Sequence, residues 1–412
     1  MADKQVTKYL DKYCEAEATL LKDFALPSEF QNGFKHAVVI PAYNETHEFV
    51  DRWLKQFNEH ALLIVVINEP DLSQDHDHSS TINKTLFDYL TTHGAIVWRK
   101  GKLVLVMRLG RAILIVDRFS QASNRIPRKQ GVGLARKIGL DIAVTLWAND
   151  QILSEVIHTT DADANLPEDY FLQTEQQPLC AAYVYRFSHR GPDNPTTRAT
   201  RLYEQSIQYY VDGLNFAGSP YAFHTIGSCL AISVRHYCQV RGFPKKNGGE
   251  DFYLLNKLAK LAPIKSLSGS PIYIDSRLSN RAPFGTGPSV EKILGLKEPN
   301  NFGCYDPVIF VELQTLLRSF SELANADSVN QFHLWRSALS EANQRMVDQL
   351  SFIDLWQHLN KQQHRGSHAL KHIHWWFDAF RTLKYVHESQ RHAYPPLPCQ
   401  LAFENFATLT HR

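Results

Sequence analysis

The chain carries almost no net charge: 44 basic residues stand against 42 acidic ones in 412, a formal +2. So small an excess gives no electrostatic footprint for nucleic acid or an anionic membrane surface. No apolar run approaches the roughly 20 residues that a membrane-spanning helix needs. The longest are 61–67 and 103–116, and the second is broken by Arg108, Gly110 and Arg111. The N-terminal stretch has acids throughout and lacks the apolar run of a signal peptide. Six cysteines (Cys14, Cys180, Cys229, Cys238, Cys304 and Cys399) form no CxxC pair, and their scatter reads as free thiols in a reducing compartment. There is no repeat, no low-complexity segment and no HExxH. Gly131-x-Gly133 lacks the remaining glycines of a dinucleotide fingerprint. These absences set the expectation of a soluble, cytoplasmic protein with no nucleic-acid partner and no transmembrane segment, large enough to need no staple or metal for its core.

What is present is a succession of strands and helices. Residues 1–30 show helical spacing up to Pro27. Residues 36–40 make a short buried strand stopped by Pro41. A helical pattern over 46–57 puts Phe49, Trp53 and Phe57 on one face, and 61–67 is a second unbroken apolar strand. A polar loop (71–80) and a helix (81–92) follow. Residues 102–107 and 111–116 form either a hairpin or a strand and part of a helix. A basic loop (119–131) leads to a helix over 132–146 and a short strand at 156–159. Further helices are expected at 197–210 and 250–262, with a last strand at 271–274. Continuous apolar strands alternating with helices mark an open α/β sheet covered on both faces. Beyond about residue 300, helical patterns at 311–319, 331–343, 344–359 and 364–384 run on without strands. The expected division is an N-terminal helical segment (1–30), an α/β domain (31–299) and a helical C-terminal region (300–412).

Three short constellations carry chemistry. At the end of the short strand 156–159 stands Asp161-Ala-Asp163, two carboxylates two residues apart. They suit a hard dication such as Mg2+ or Mn2+, which one or two carboxylates hold while it bridges substrate phosphates; a plain surface turn has the same composition. At the end of the first strand is Val38 to Glu45 (VVIPAYNE), where ligands bind in open sheets. Here Pro41 sets the exit and leaves Tyr43 and Asn44 to meet a planar, hydrogen-bonding group, or Asn44 simply caps the next helix. At residues 248–254 (GGEDFYL), Glu250 and Asp251 open a helix, a placement that its dipole favours in any case.

In that order, VVIPAYNE, TTDADANLP (159–167) and GGEDFYL resemble the family 2 glycosyltransferases with the GT-A fold, over about residues 35–280. The resemblance implies an open, mostly parallel sheet flanked by helices, and an inverting transfer from a nucleotide-diphosphate sugar, UDP- or GDP-linked, to a hydroxyl acceptor. It places Pro41, Ala42, Tyr43 and Asn44 on the base and ribose side of the donor. Glu69, at the end of the second strand, stands where the family more usually has an Asp against the base. Arg128, Lys129 and Arg136 are the cations available to the diphosphate. Asp161 would lie near ribose or metal, Asp163 would be the direct ligand of Mg2+ or Mn2+, and Asp251 would be the general base, with Glu250 beside it to act instead or to orient the acceptor. Gly227 and Ser228 would leave space for the sugar. Arg277 and Arg281, in a small-residue loop, could close over the diphosphate.

Three rivals share parts of this pattern: a retaining transferase of similar fold, a sugar nucleotidyltransferase and a non-catalytic nucleotide-sugar-binding subunit. The second normally carries a glycine-rich, basic signature after its first strand, which PAYNE lacks. The Gln-x-x-Arg-Trp motif of membrane polysaccharide synthases is also missing, since 331–336 reads QFHLWR. His364, His368 and His372 share the spacing of one helical face, but without HExxH they read as solvent-exposed histidines rather than zinc ligands.

Overall fold

The computed structural model describes residues 4–22, 24–58, 60–71, 76–278 and 285–410. The chain separates into two compact units: the first is Met1–Gly191, Thr225–Ser276 and Asn280–Phe284, the second Pro192–His224, Arg277–Ser279 and Gly285–Arg412. This division differs from the expected boundaries at 30/31 and 299/300. The N-terminal segment belongs to the first unit, where the Tyr9 hydroxyl and the Glu15 N–H donate to the buried Asp141 of the sheet's main helix. The stretch 192–224 belongs to the second, because its helix Pro195–Phe216 packs Gly213 directly against the ring of Phe310.

The first unit is built on strands β1 His36–Ala42, β2 Ala61–Asn68, β3 Ala95–Lys100, β4 Leu103–Arg108, β5 Arg111–Arg118, β6 Val156–Thr159, β7 Ala164–Asn165, β8 Ala182–Val184, β9 Phe187–Arg190, β10 Leu230–Ser233, β11 Ile264–Ser266 and β12 Ile272–Asp275. Nine of them make one sheet in the order β11-β8-β10-β6-β1-β2-β5-β4-β3. Its centre, β6-β1-β2-β5, is parallel throughout. Antiparallel pairings extend it on both sides, through β10 next to β6 and the β5-β4-β3 meander. The β4–β5 hairpin turns on Leu109 and Gly110, both at positive φ (50° and 72°), which matches the right-handed twist of the flanking strands.

All seven residues of β1 and all eight of β2 are buried, because both faces are covered. One face packs Val38, Ile40, Leu63 and Val65 with Phe49, Trp53, Leu86 and Leu90. On the other, the helix Gly131–Ala148 lies so close that a Cβ on Gly139 would stand 2.3 Å from Val39 Cγ1. A small second sheet, β7-β12-β9, sits beside the first.

The N-terminal segment is two helices, Lys4–Lys12 and Ala16–Thr19, and a short 3-10 turn at Ser28–Phe30 rather than one continuous helix. Its anchor is buried: Lys137 Nζ lies 2.8 Å from Asp141 Oδ2, and Tyr9 and Tyr237 donate their hydroxyls to Asp141 Oδ1.

The second unit is helical, with a core that includes Phe310, Leu313, Phe320, Phe352, Phe377 and Tyr385. The long helical patterns read from the sequence are interrupted. The stretch 344–359 divides between Glu341–Gln349 and Phe352–Lys361, separated where Ser351 takes φ 58°. Residues 364–384 divide between Gly366–Trp376 and Ala379–His392, the second capped by Asp378. Cys304 and Cys399, 95 residues apart, form a disulfide. The expectation of six free thiols is therefore corrected: spacing along the chain says nothing about two cysteines that the fold brings to a Cα separation of 4.8 Å. Cys14, Cys180 and Cys229 are free thiols. Among the described residues no helix is long and apolar enough to cross a membrane.

Substituting Asp141 by Ala removes the nearer charge partner of the buried Lys137 ammonium and leaves it only Glu15, at 3.8 Å. Breaking a buried pair from one side costs about 3–5 kcal/mol, so urea unfolding of Asp141→Ala is expected to show a loss of that size. The double variant Lys137→Met/Asp141→Leu should recover only part of it, because the buried Tyr9 and Tyr237 hydroxyls still lose their acceptor.

Candidate functional site

The parallel centre of the sheet brings the ends of β1, β2 and β6 to one edge, where the crevices of open α/β sheets form. Because β10 is antiparallel to β6, with Leu230 opposite Thr159, the turn before β10 reaches the same edge. Tyr43 and Asn44, Asn68 and Glu69, Thr160 to Asp163, and Gly227 to Cys229 are thereby drawn together from four separate stretches.

At the centre is Arg136, on the second turn of Gly131–Ala148 and 2% exposed. Its Nη2 donates to Asp161 Oδ1 (2.6 Å), its Nε to Glu250 Oε1 (3.1 Å) and its Nη1 to Thr159 Oγ1 (2.9 Å). Burial opposes its charge, but Asp161, Glu250 and Asp251 outweigh that and raise its pKa above the ordinary arginine value. Three of the five N–H donors of Arg136 are thus engaged within the protein. At Gly227 a Cβ would lie 2.6 Å from Arg136 Nη2, so the space its missing side chain leaves is filled by the guanidinium. Ser228 is buried beside Cys229, the hydroxyl 3.6 Å from Sγ. Burial, first of all, pushes the Cys229 thiol up to about 12, which leaves it unreactive at neutral pH.

The Asp161–Asp163 turn is held from several sides. Thr160 N–H donates to Val39 O (3.1 Å), Arg52 Nη2 to Ala162 O (2.8 Å) and Asp275 N–H to Asp163 O (3.3 Å). The chain then enters β7, which pairs with β12, so the acids sit in a strand-to-strand turn fixed by the second sheet and do not cap a helix. Asp161 and Asp163 are both half-buried. Below them, Thr160 Oγ1 is buried without a hydrogen-bond partner, and a small cavity of about 30 Å3 touches Thr160, Asp161 and Arg52. Two half-buried carboxylates and an unsatisfied hydroxyl are an all-oxygen donor set of the kind that suits Mg2+ or Mn2+.

The loop before Glu250 is locked onto the same helix. Gly133 N–H donates to Lys246 O (3.0 Å), and a Cβ on Gly133 would collide with the backbone of Pro244 and Lys246. Gly248 and Gly249 then turn the chain at φ 132° and 67°, a conformation that favours glycine. Glu250 is buried and faces Arg136, whereas Asp251 is half-buried with Oδ1 accepting from Phe252 N–H at 2.7 Å. Burial and the neighbouring Glu250 charge push Asp251 up to about 7. Of the two lysines in this loop, Lys245 pairs with Glu15 and Lys246 stacks on Tyr253.

At the β1 and β2 ends, Pro41 and Ala42 are buried ladder residues opposite Val66 and Ile67. Tyr43 and Asn44 follow, half-buried, with Asn44 at φ 56°. Glu69, the residue expected against the base, is fully buried: its carboxylate accepts from Asn83 Nδ2 (3.4 Å), and Asn83 in turn accepts from Asn44 N–H (3.0 Å). Beside it, Asn68 Oδ1 is buried with no hydrogen-bond partner. Arg128 and Lys129 are exposed in the loop before Gly131. Arg277 belongs to the second unit, and Arg281 lies outside the described residues. Sequence reasoning missed Arg52, Asn68, Asn83, Thr159 and Thr160; only the last two, flanking Asp161, stood where a search could have found them.

No protein-family model matches this sequence, and no curated protein matches it. Among solved structures, the chain is similar to the mannosyltransferase PcManGT from Pyrobaculum calidifontis in complex with GDP-Man and Mn2+. The identity is 14% and the TM-score 0.36, over 92% of this chain and 94% of that one. A similarity at this level carries no argument about fold or activity, which leaves the residues themselves to support a function.

Gly227→Ala is expected to displace Arg136. Overpacking of this kind costs about 1–3 kcal/mol, and a crystal structure of the variant should show at least one of the three Arg136 hydrogen bonds broken.

Proposed function

We propose that the first unit is the catalytic domain of a glycosyltransferase that uses a nucleotide-diphosphate sugar, UDP- or GDP-linked, and a divalent cation, and transfers the sugar to a hydroxyl with inversion. The observation that carries the reading is the grouping, at one edge of a parallel sheet, of an acidic turn fit for Mg2+ or Mn2+ with a separate carboxylate whose pKa is about 7. Asp163, with Asp161, would hold the cation. When bound, the cation supplies positive charge to the leaving diphosphate.

Inverting transfer needs a base at the acceptor hydroxyl, on the face opposite the leaving group. Asp251 suits that task, because general bases work best with a pKa near the working pH. Glu250 is committed to Arg136 and so positions Asp251 instead of taking the proton. Tyr43 and Asn44 bind the base and ribose. Arg128 and Lys129, the exposed cations nearest the helix start, are the remaining partners for phosphate oxygens.

Purified protein offered a panel of UDP- and GDP-sugars should release nucleotide from one donor only when Mn2+ or Mg2+ is present. Asp163→Ala should abolish the metal dependence together with the release. No nucleotide binding by the intact protein would sink the donor-site assignment. Metal-dependent binding without release, with every acceptor tried, would favour a non-catalytic subunit.

The pH profile gives a second test. Asp251 must be ionised to accept a proton, so kcat/KM should rise with pH through about 7 and level off above it. Asp251→Asn should lose the acid limb and about 10²–10⁴-fold in rate, while nucleotide binding persists.

A further inference from the structure

Far along the chain, in the second unit, lies a cluster that the proposed chemistry does not use. His368 and His372 stand one turn apart on the helix Gly366–Trp376. His364, read from the sequence as part of the same helical face, instead belongs to the turn before it. Gln363 and Gly366, each at φ 55°, bend the chain there, and His364 N–H donates to Leu359 O (2.9 Å). That bend swings the His364 ring back over the helix. It stacks on His372 (centroids 4.6 Å apart, planes at 8°), and His368 meets both edge-on at 4.2 and 4.8 Å. One nitrogen from each of the three rings lies within 4.8 Å of the other two.

We propose that His364, His368 and His372 form a binding site for a d-block divalent cation, zinc foremost, distinct from the oxygen site at Asp161 and Asp163. Zn–N bonds of about 2.0–2.1 Å place tetrahedral nitrogens about 3.4 Å apart, so closure needs a contraction of roughly an ångström, within reach of side-chain rotation. Three neutral nitrogen donors select zinc, nickel or copper over magnesium and calcium, which require oxygen. The rings are also biased to the neutral form that binds metal. His364 and His372 are lowered, first by desolvation and then by the neighbouring imidazoles, with His358 and Lys371 adding positive charge nearby. Three protein ligands leave one tetrahedral position for water or an exogenous ligand. The site also joins the turn to a helix whose N-cap residue, Arg365, makes no side-chain cap, so metal would secure a start that no side chain at that position holds.

The test is a zinc titration of chelator-stripped full-length protein, in competition with a chromophoric chelator, alongside thermal unfolding. One zinc per chain is expected to bind at micromolar concentration and raise the melting temperature. His368→Ala and His372→Ala should each weaken binding by at least about tenfold and lose the thermal shift, while melting like the parent without metal. Asp163→Ala should bind zinc at these histidines as the parent does. Absence of stoichiometric binding at micromolar zinc, or binding by Asp163→Ala protein that survives the further substitution of His364, His368 and His372, would overturn the proposal.

Discussion

Arg136 is the point on which the candidate site is assembled. Its guanidinium joins the end of β6 (Thr159), the acidic turn (Asp161) and the start of the helix Glu250–Leu258 (Glu250) through one hydrogen bond each. A buried ion pair is weak evidence of stability, since desolvating the charges costs about as much as their attraction returns. What such a group does supply is geometry: a planar fork with fixed directions holds three separate segments in one register. The surroundings are cut to admit it. Gly227 leaves room for the guanidinium, and Gly133 lets the loop 244–247 close against the helix that carries Arg136.

Much of the frame around that arginine is legible in the sequence, and the reason is burial on both faces. Strands β1 and β2 announce themselves as unbroken apolar runs because helices cover the sheet on each side, and their C-terminal ends then mark the edge where ligands bind. The acidic turn and the Glu250-Asp251 pair are legible as residue types at the ends of elements. Which groups pair with which is not. Arg136 and Glu69 look like ligand contacts because both are polar and near the right edge, yet burial depth consumes them inside the protein: Arg136 on three acceptors, Glu69 on Asn83. Periodicity also overruns its limits. The pattern 364–384 looks continuous, but Gly366 at positive φ and the cap at Asp378 divide it, and His364 falls outside the helix. The pairing of Cys304 with Cys399 is likewise a fact of three-dimensional proximity, and it withdraws the support that free thiols lent to a cytoplasmic location.

The oxygen site and the nitrogen site follow different rules. Asp161 and Asp163 offer oxygen from a turn held by Arg52, Val39 and Asp275, a rigid frame in which a hard cation can keep part of its water shell and share the rest with phosphate. The three histidines offer nitrogen from a helix face and the bend before it, and their spacing is set by side-chain rotation more than by backbone. The first arrangement suits a cation that comes with a substrate; the second suits one that stays.

The raised pKa of Asp251 ties the acid–base chemistry back to Arg136. Burial and the charge of Glu250 push Asp251 upward, while the Phe252 N–H and the Arg136 charge draw it down. Without the groups that draw it down the carboxyl would hold its proton to higher pH, and one exposed to water would be a weaker base. Arg136 offsets the Glu250 charge and leaves Asp251 between those limits. The guanidinium that joins the three segments therefore also helps to set the acidity of the carboxyl that the proposed transfer would use as its base, so that geometry and acidity at this edge of the sheet share one side chain.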